Sequence, residues 1–260
     1  MSKNIIYCFS GTGNCLDIAM NIANKLHDTD IVMMRKDPIV FSTSGYDTVG
    51  FVFPCHGGGL PIGLKEKLNR ININYSTYTY GICSYSGYIG HGLKELDSII
   101  TLDYYNYISH HCSCIWLLPH KLMIPPVSIE TANKRSKRLS EEIAEDIQNR
   151  VCSDKPVPSK LLNKAESKAW PILSSKISKK FSVNNDCVSC GQCVNICPKG
   201  NITMVDGKPA FGDKCINCLG CLQYCPTEAI NVGQKTEKRE RYHNPNISAE
   251  LLLRSVIHID

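Results

Sequence analysis

The segment NIIYCFSGTGNCLDIAMNIANKL, residues 4–26, decides the fold of the N-terminal part of the chain. It opens with a short apolar run, residues 4–9, which predicts a buried strand. Beyond residue 15, apolar side chains recur at helical spacing, at Leu16, Ala19, Met20, Ala23 and Leu26. The turn between them is Ser10-Gly11-Thr12-Gly13-Asn14-Cys15. Its hydroxyls and backbone amides meet at a helix N-terminus, where the helix dipole favours a bound phosphate.

The composition of this turn excludes two classes of phosphate-containing ligand. It contains no Gly-Lys-Ser/Thr, so it is not a nucleotide-triphosphate loop. The pattern G-x-G-x-x-G occurs neither here nor elsewhere in the chain, so there is no visible NAD(P) site. The alternative to a phosphate loop is an ordinary tight turn.

Strand–helix alternation continues to about residue 150. Further short apolar runs at 31–34, 48–53, 77–83 and 112–118 predict four more strands. Helices are predicted at 61–68, from the loop after residue 83 to about 100, and around Leu139, Ile143 and Ile147. Short apolar strands that alternate with helices predict a parallel sheet covered on both faces.

Two more glycine-rich loops follow the third and fourth strands, at 54–59 and 84–90. Loops after strands one, three and four of a doubly wound sheet meet at its carboxyl edge, at the topological switch point. Residues 1–152 resemble flavodoxin in this arrangement. The resemblance implies an α/β fold with a five-stranded parallel sheet in the order 2-1-3-4-5, and FMN as the cofactor.

The same resemblance assigns the FMN phosphate to the first loop and the isoalloxazine ring to the two later loops. The cofactor-binding residues that it implies are Ser10, Gly11, Thr12, Gly13, Asn14, Cys15, Pro54, Cys55, His56, Gly57, Gly58, Ser84, Tyr85, Ser86, Gly87, Tyr88 and Gly90. The chain departs from the flavodoxin pattern at Cys15, where a threonine is common and a thiol is a weaker donor. The candidates for stacking on the ring are His56, Tyr85 and Tyr88.

Eight of the 15 cysteines form a repeat with an offset of 28 residues. Each copy has the spacing C-x-x-C-x-x-C-x-x-x-C-P, which lets three thiolates of one loop bind one iron–sulfur cluster while the fourth reaches the other cluster. The first cysteine set is therefore Cys187, Cys190, Cys193 and Cys225, and the second cysteine set is Cys215, Cys218, Cys221 and Cys197.

Thiolate is the ligand that such clusters require. Zinc, the rival, typically uses four Cys or His ligands in two well-separated pairs, which fits this spacing poorly. Residues 181–232 resemble the clostridial-type two-cluster ferredoxins. The resemblance implies a small α+β domain with two [4Fe–4S] clusters near the surface that transfer single electrons at low potential.

Two other regions complete the chain. The connector 153–180 is basic and contains a predicted helix near 161–169, with Trp170 interpreted as a core residue. Its lysines at 176, 179 and 180 form either a solvated helical face or a docking strip for an acidic redox partner. The tail 233–260 is polar, ends in a short helix or strand at 251–259, and receives no function.

The remaining signals exclude several classes of protein. No run approaches the roughly 18 apolar residues of a membrane span, and no signal peptide is visible. The net charge of +5 is too small to indicate nucleic acid. Many cysteines without an export signal favour metal or redox chemistry in a reducing compartment, so a cytoplasmic location is expected.

His110, His111 and His120 are interpreted as structural, as are most of the other thiols, Cys112 and Cys114 included.

The two modules in this order resemble the flavodoxin–ferredoxin fusions of anaerobes, also called ferrodoxin-type proteins. The resemblance implies an electron-transfer iron–sulfur flavoprotein that exchanges single electrons with redox protein partners. One alternative is a ferredoxin-wired reductase whose flavin acts on a small substrate, with Tyr88, His91 or His120 as proton donor. Another is a redox subunit of a larger complex. No catalytic residue is assigned, and the missing nicotinamide site favours the carrier or the subunit.

Overall fold

The apolar runs of the N-terminal half pair side by side into one sheet. The computed structural model describes residues 3–36, 41–111, 113–114 and 128–260. Its large sheet has six strands: β1 (Asn4–Cys8), β2 (Thr29–Met33), β3 (Thr48–Pro54), β4 (Tyr78–Tyr85), β5 (Tyr104–Ser109) and β10 (Val256–Ile259). The strand order is β10-β2-β1-β3-β4-β5.

The first five strands are parallel to one another in the order 2-1-3-4-5. The predicted doubly wound α/β class and its strand order are therefore confirmed. The helices of this half are α1 (Asn14–Leu26), α2 (Leu64–Leu68), α3 (Gly92–Asp97) and α4 (Ile129–Gln148). Apolar side chains of α1 and α4 pack on one face of the sheet, and those of α2 and α3 pack on the other. Both faces are covered, which is why the central strands carry almost unbroken apolar runs.

The fifth strand lies earlier in the chain than predicted. It is β5, which contains three tyrosines and the polar residues Asn106 and Ser109. Most of its side chains are only half-buried, as is common in an edge strand. The prediction favoured the more continuous apolar run at 112–118, most of which lies outside the described residues.

A sixth strand from the C-terminal tail extends the sheet. The tail forms helix α8 (Ala249–Leu253) and then β10, which pairs antiparallel with β2, so that Ile257 lies opposite Ile31. A covered sheet edge cannot pair with another chain. The segment that received no function from the sequence is thus part of the flavodoxin-like sheet.

The cysteine-rich part consists of two short antiparallel pairs and two short helices. Strand β6 (Phe181–Val183) pairs with β9 (Ile230–Val232), and β7 (Ile202–Val205) pairs with β8 (Lys208–Phe211). Helices α6 (Gln192–Ile196) and α7 (Gly220–Gln223) each begin inside a cysteine run. The connector helix α5 (Leu161–Ser178) is longer than predicted. Within the described ranges, no helix combines the length and the apolar character of a membrane span.

Candidate cofactor sites

A cavity of about 580 Å³, including its open mouth, lies at the carboxyl edge of the large sheet. All three predicted loops contribute to its lining, through Ser10, Gly11, Thr12, Asn14, Cys15, Pro54, Cys55, His56, Ser84, Tyr85 and Ser86. Four further residues line the cavity although the sequence did not suggest them for this site, namely His111, Ser113, Cys114 and Cys218.

The first loop makes a tight turn that leads directly into helix α1. The Gly13 N–H donates to Ser10 Oγ over 3.1 Å, and Gly13 has a φ of 95°, which a side chain would strain. A Cβ at Gly13 would also lie 2.9 Å from Asn244, Ile247 and the Tyr224 hydroxyl. Helix α1 begins at the next residue. The chain can therefore enter the helix here only with glycine.

Cys15, the departure from the flavodoxin pattern, lies in the wall of the cavity as a neutral thiol. Burial raises its pKa well above the ordinary value, and a hydrogen bond with Ser84 opposes this rise only in part. A buried neutral thiol behaves as a small apolar group with a weak donor. A phosphate at this loop would therefore be held by the backbone and hydroxyls more than by this side chain.

The second loop presents His56 to the cavity. Burial lowers the pKa of His56 to about 4, so the ring is neutral near pH 7. Its Nδ1 is buried and has no hydrogen-bond partner among the described residues. The ring contacts Phe9 and Trp170, each with a centroid distance of 6.4 Å. A neutral ring with an unused polar atom fits the wall of a pocket for a flat heteroaromatic ring such as that of FMN.

Six of the predicted cofactor residues do not line the cavity: Gly13, Gly57, Gly58, Gly87, Tyr88 and Gly90. Gly57 and Gly58 pack against Trp170 and Glu166 of α5 instead. The Tyr88 hydroxyl donates to Glu166 over 2.5 Å, and the side chain is 44% exposed. Tyr85 does line the cavity, and its ring meets Tyr107 edge-on at 6.3 Å.

The first cysteine set surrounds a small cavity of its own. Its volume is about 350 Å³ including the open part, and all four cysteines line it. Cys190 and the neighbouring Val188 are exposed, Val188 to 63%. The structure thus brings together the four thiols that the spacing predicted, and it places them at the surface.

The second cysteine set lies deeper. Burial, helped by the nearby thiols of Cys218 and Cys197, raises the pKa of the Cys215 thiol to about 11, and the hydrogen bond from the Asn217 N–H opposes this rise in part. Burial also raises the pKa of Cys218, and the adjacent Arg35 charge opposes that rise. Four thiols held this close would bind an iron–sulfur cluster as thiolates, because their mutual repulsion is relieved by the metal charge.

Backbone amides already point at two of these sulfurs. The Asn201 N–H donates to Cys197 Sγ over 3.3 Å, and the Asn217 N–H donates to Cys215 Sγ over 3.4 Å. Hydrogen bonds of this kind tune cluster potential. No three His, Cys, Asp or Glu side chains in the described part of the chain converge on a single metal ion. In a four-iron cluster each thiolate binds a different iron, so convergence on one point is not required.

The second cysteine set and the cavity share a wall. A Cβ built on Gly11 would lie 2.3 Å from the Cys218 carbonyl oxygen, so the two backbones touch. Cys218 itself lines the cavity. These residues are more than 200 positions apart, and no local pattern in the sequence signals their contact.

The C-terminal tail holds this contact in place. The Tyr242 hydroxyl donates to Asn14 Oδ1 over 2.8 Å, and the Asn244 N–H donates to the Thr12 carbonyl over 2.8 Å. On the other side, the Tyr242 N–H donates to Gln223 Oε1 of α7 over 2.8 Å. The tail therefore ties the phosphate loop to the helix that follows Cys218.

His110 makes the stability of this region depend on pH. Burial lowers its pKa to about 3, and its Nδ1 accepts from the His111 N–H over 2.9 Å. Below pH 6.5 the unfolded chain binds a proton that the folded chain does not, so stability falls as the pH drops from 6.5 towards 3. We expect the free energy of unfolding to decrease by up to about 1.4 kcal/mol per pH unit from this group.

The variant His110→Asn keeps an acceptor but does not titrate. Urea unfolding of both proteins at pH 7.0, 6.0, 5.0 and 4.5 measures the difference, and every other titrating group cancels in the comparison. Parallel curves for the two proteins would contradict the assignment. His120, interpreted as structural together with His110, lies outside the described residues.

Comparison with known proteins finds a family match in the C-terminal half of the chain. Residues 137–241 match a protein family described as a 4Fe-4S dicluster domain. No curated protein gives a significant match to the sequence. The match and the strand order together confirm the predicted combination of a dicluster iron–sulfur domain with a flavodoxin-like fold.

Solved structures similar to the chain include several flavin and redox proteins. A flavoprotein in complex with FMN from Lactobacillus acidophilus is 14% identical, with a TM-score of 0.32 over 42% of this chain and 91% of that one. An FMN-dependent NADH-azoreductase from Bacillus anthracis is 11% identical, with a TM-score of 0.38 over 56% and 99%. The rubredoxin oxygen:oxidoreductase of the anaerobe Desulfovibrio gigas is 13% identical, with a TM-score of 0.38 over 58% of this chain and 37% of its own.

Proposed function

We propose that this chain is an electron-transfer protein that holds two [4Fe–4S] clusters and FMN and exchanges single electrons with redox partner proteins. The observation that carries the proposal is the position of Cys218, which belongs to the second cysteine set and also lines the cavity at the carboxyl edge of the sheet. Bound FMN would take up one or two electrons, whereas each cluster would pass one at a time.

The residues of the cavity suit the two ends of FMN. Ser10, Thr12 and the amides at the start of α1 would bind the phosphate, since they lie at the positive end of a helix. The neutral His56 ring and Tyr85 would contact the isoalloxazine. The protein contributes position and orientation, which is what a cofactor requires of its binding site.

The order of the two cysteine sets supports a route from the surface inwards. Cys190 of the first set is exposed. Cys193 of the first set and Cys221 of the second pack against the same small apolar cluster around Leu222. Cys218 of the second set lines the cavity, and its backbone contacts Gly11 of the first loop. An electron that enters at the first set has a continuous path to the cavity.

The contacts of the considered proton donors favour a carrier over a reductase. Tyr88 is hydrogen-bonded to Glu166, and His91 Nδ1 lies 2.9 Å from the Ser159 hydroxyl. Neither residue lines the cavity, and His120 lies outside the described residues. A reductase would need a proton donor above the flavin, and the two described candidates, Tyr88 and His91, are both engaged away from the cavity, which supports the carrier.

An anaerobic preparation tests the proposal. We expect about eight irons and eight sulfides per chain, as two four-iron clusters require, together with about one FMN. Partial chemical reduction of the clusters should be followed by bleaching of the flavin absorbance. Protein without flavin, or flavin that stays oxidised beside reduced clusters of lower potential, would contradict the proposed function.

The lysines at the end of α5 are the expected docking site for an acidic partner. Lys176, Lys179 and Lys180 are exposed. The neighbouring Ile177 packs against the same small apolar cluster as Cys193 and Cys225 of the first cysteine set. Changing the three lysines to glutamate should slow reduction by an acidic one-electron donor protein roughly tenfold at low salt, because charge complementarity sets the encounter rate.

Stopped-flow reduction measured at low and high salt checks this prediction. The salt dependence should also become weaker, because screening has less attraction left to remove. The matched control changes three exposed basic residues of α4 to glutamate, namely Lys134, Arg135 and Arg138. Equal rates for wild type and the α5 variant at every salt concentration would refute this docking site.

A further inference from the structure

Arg35 is a buried arginine between the two halves of the molecule. It follows β2 closely, and only 5% of its surface is exposed. One guanidinium nitrogen, Nη1, donates to the carbonyl of Ser10, at the start of the phosphate loop. The other, Nη2, donates to the carbonyl of Ile196, the residue before Cys197. One side chain thus bridges the cavity and the second cysteine set.

The guanidinium also touches the loop that carries the other ligands of that set. A Cβ built on Gly220 would lie 3.6 Å from Arg35 Nη2. Gly220 lies between Cys218 and Cys221, so the charge is next to the backbone of three of the four cysteines. Within the part of the chain that the structure describes, Arg35 has carbonyl partners and no carboxylate. An arginine stays protonated, so its positive charge here has no acidic side chain to neutralise it.

We propose that Arg35 raises the reduction potential of the cluster bound by the second cysteine set above that of the cluster bound by the first. This inference rests on the proposed function. Reduction adds one negative charge to a cluster, and a buried positive charge beside it stabilises the more negative form. Salt screens a buried charge only weakly, so the effect persists at physiological ionic strength.

Arg241, an arginine close to Cys225 of the first cysteine set, has a different environment. Arg241 donates to the carbonyls of Glu228 and Ile230 and to Asn231 Oδ1, and it is partly exposed. The strongest charge that acts on it is the Glu228 carboxylate, ahead of Cys225. A neighbouring carboxylate and solvent reduce its effect on the first cluster.

The consequence is a direction for the internal step. One electron, supplied by an external one-electron donor protein, reduces the first cluster. It then passes to the second cluster, which has the higher potential, so that the first is oxidised and the second reduced, with no bond or proton changed. The charge of Arg35 thus favours the electron on the second cluster, beside the cavity.

Redox titration of the anaerobically purified holoprotein, followed by electron paramagnetic resonance, tests the inference. Wild type should show two separate cluster potentials. Arg35→Met should shift only the higher one downwards, by at least tenfold in the ratio of reduced to oxidised cluster, which is 59 mV for one electron. Arg35→Lys, which keeps the charge, should retain the separation. Arg241→Met should leave the higher potential in place.

The outcomes separate the two proposals. Wild-type protein without two clusters overturns the proposed function and this inference together. Fully loaded wild type with coincident potentials, or fully loaded Arg35→Met with unchanged potentials, overturns the inference alone. If Arg35→Met does not assemble its clusters, Arg35→Lys decides, because a loaded lysine variant that has lost the separation also overturns it.

Discussion

The variant Gly11→Ala is expected to slow electron transfer between the second cluster and the flavin by at least about tenfold, because small displacements of reacting groups have effects of this size. An added Cβ would lie 2.3 Å from the Cys218 carbonyl oxygen, closer than any real contact. The opposing atom belongs to a backbone and cannot rotate away. The phosphate loop and the cysteine loop must therefore move apart, at a cost of roughly 1–3 kcal/mol in the free energy of unfolding.

Anaerobic stopped-flow spectroscopy measures this effect, with iron and FMN quantified in each preparation. Gly45→Ala is the matched control, since nothing lies within 4 Å of the added Cβ there. Gly45 has a φ of 85°, so its replacement adds backbone strain of about 1–2 kcal/mol without touching either site. A Gly11→Ala protein with full cofactor content and the wild-type transfer rate would show that the contact with Cys218 does not govern transfer.

Removal of residues 242–260 is expected to destabilise the fold severely and to abolish FMN binding. This segment buries the side chains of Tyr242, Ile247, Leu252 and Ile257. Burial of each side chain contributes roughly 1.5–3 kcal/mol to the free energy of unfolding. Their sum is comparable to the roughly 5–15 kcal/mol by which an ordinary protein is stable. The deletion also removes the hydrogen bonds from Tyr242 to Asn14 and from Asn244 to Thr12.

Urea unfolding and FMN titration of the shortened chain test this prediction. A shorter deletion of residues 256–260 is the control, because it removes β10 and the buried Ile257 but leaves Tyr242 and Asn244 in place. That control should lose part of the stability and still bind FMN. Wild-type unfolding and FMN affinity in the chain that ends at Arg241 would mean that the tail is dispensable.

Several features of the molecule depend on short-range patterns and could be predicted from the sequence. Apolar periodicity indicated the alternation of strands and helices, and with it the doubly wound order of β1 to β5. The two-residue gaps within each cysteine run, and the proline after each fourth cysteine, indicated how the eight thiols divide into two sets. These patterns act over a few residues, because neighbours in the chain are necessarily neighbours in space.

Local patterns gave a wrong or incomplete answer wherever packing decides. The run at 112–118 is more apolar than β5, yet β5 pairs with β4, since half-buried aromatic residues suit an edge strand. Tyr88 follows a strand as a flavin-stacking residue would, but its hydroxyl is engaged by Glu166 of α5. The tail appeared polar and without function, and it forms the sixth strand.

The relation between the two halves was decided by tertiary structure alone. Gly11 touches Cys218, Arg35 bridges Ser10 and Ile196, and Tyr242 reaches Asn14. The contacts of Gly11 with Cys218, of Arg35 with Ile196 and of Tyr242 with Asn14 each join residues more than 150 positions apart, so no spacing or periodicity in the sequence records them. The sequence by itself determined which groups can hold iron and phosphate. Long-range packing determined that they lie side by side, because only the folded chain brings a buried charge, a sulfur ligand and a ligand cavity to one place.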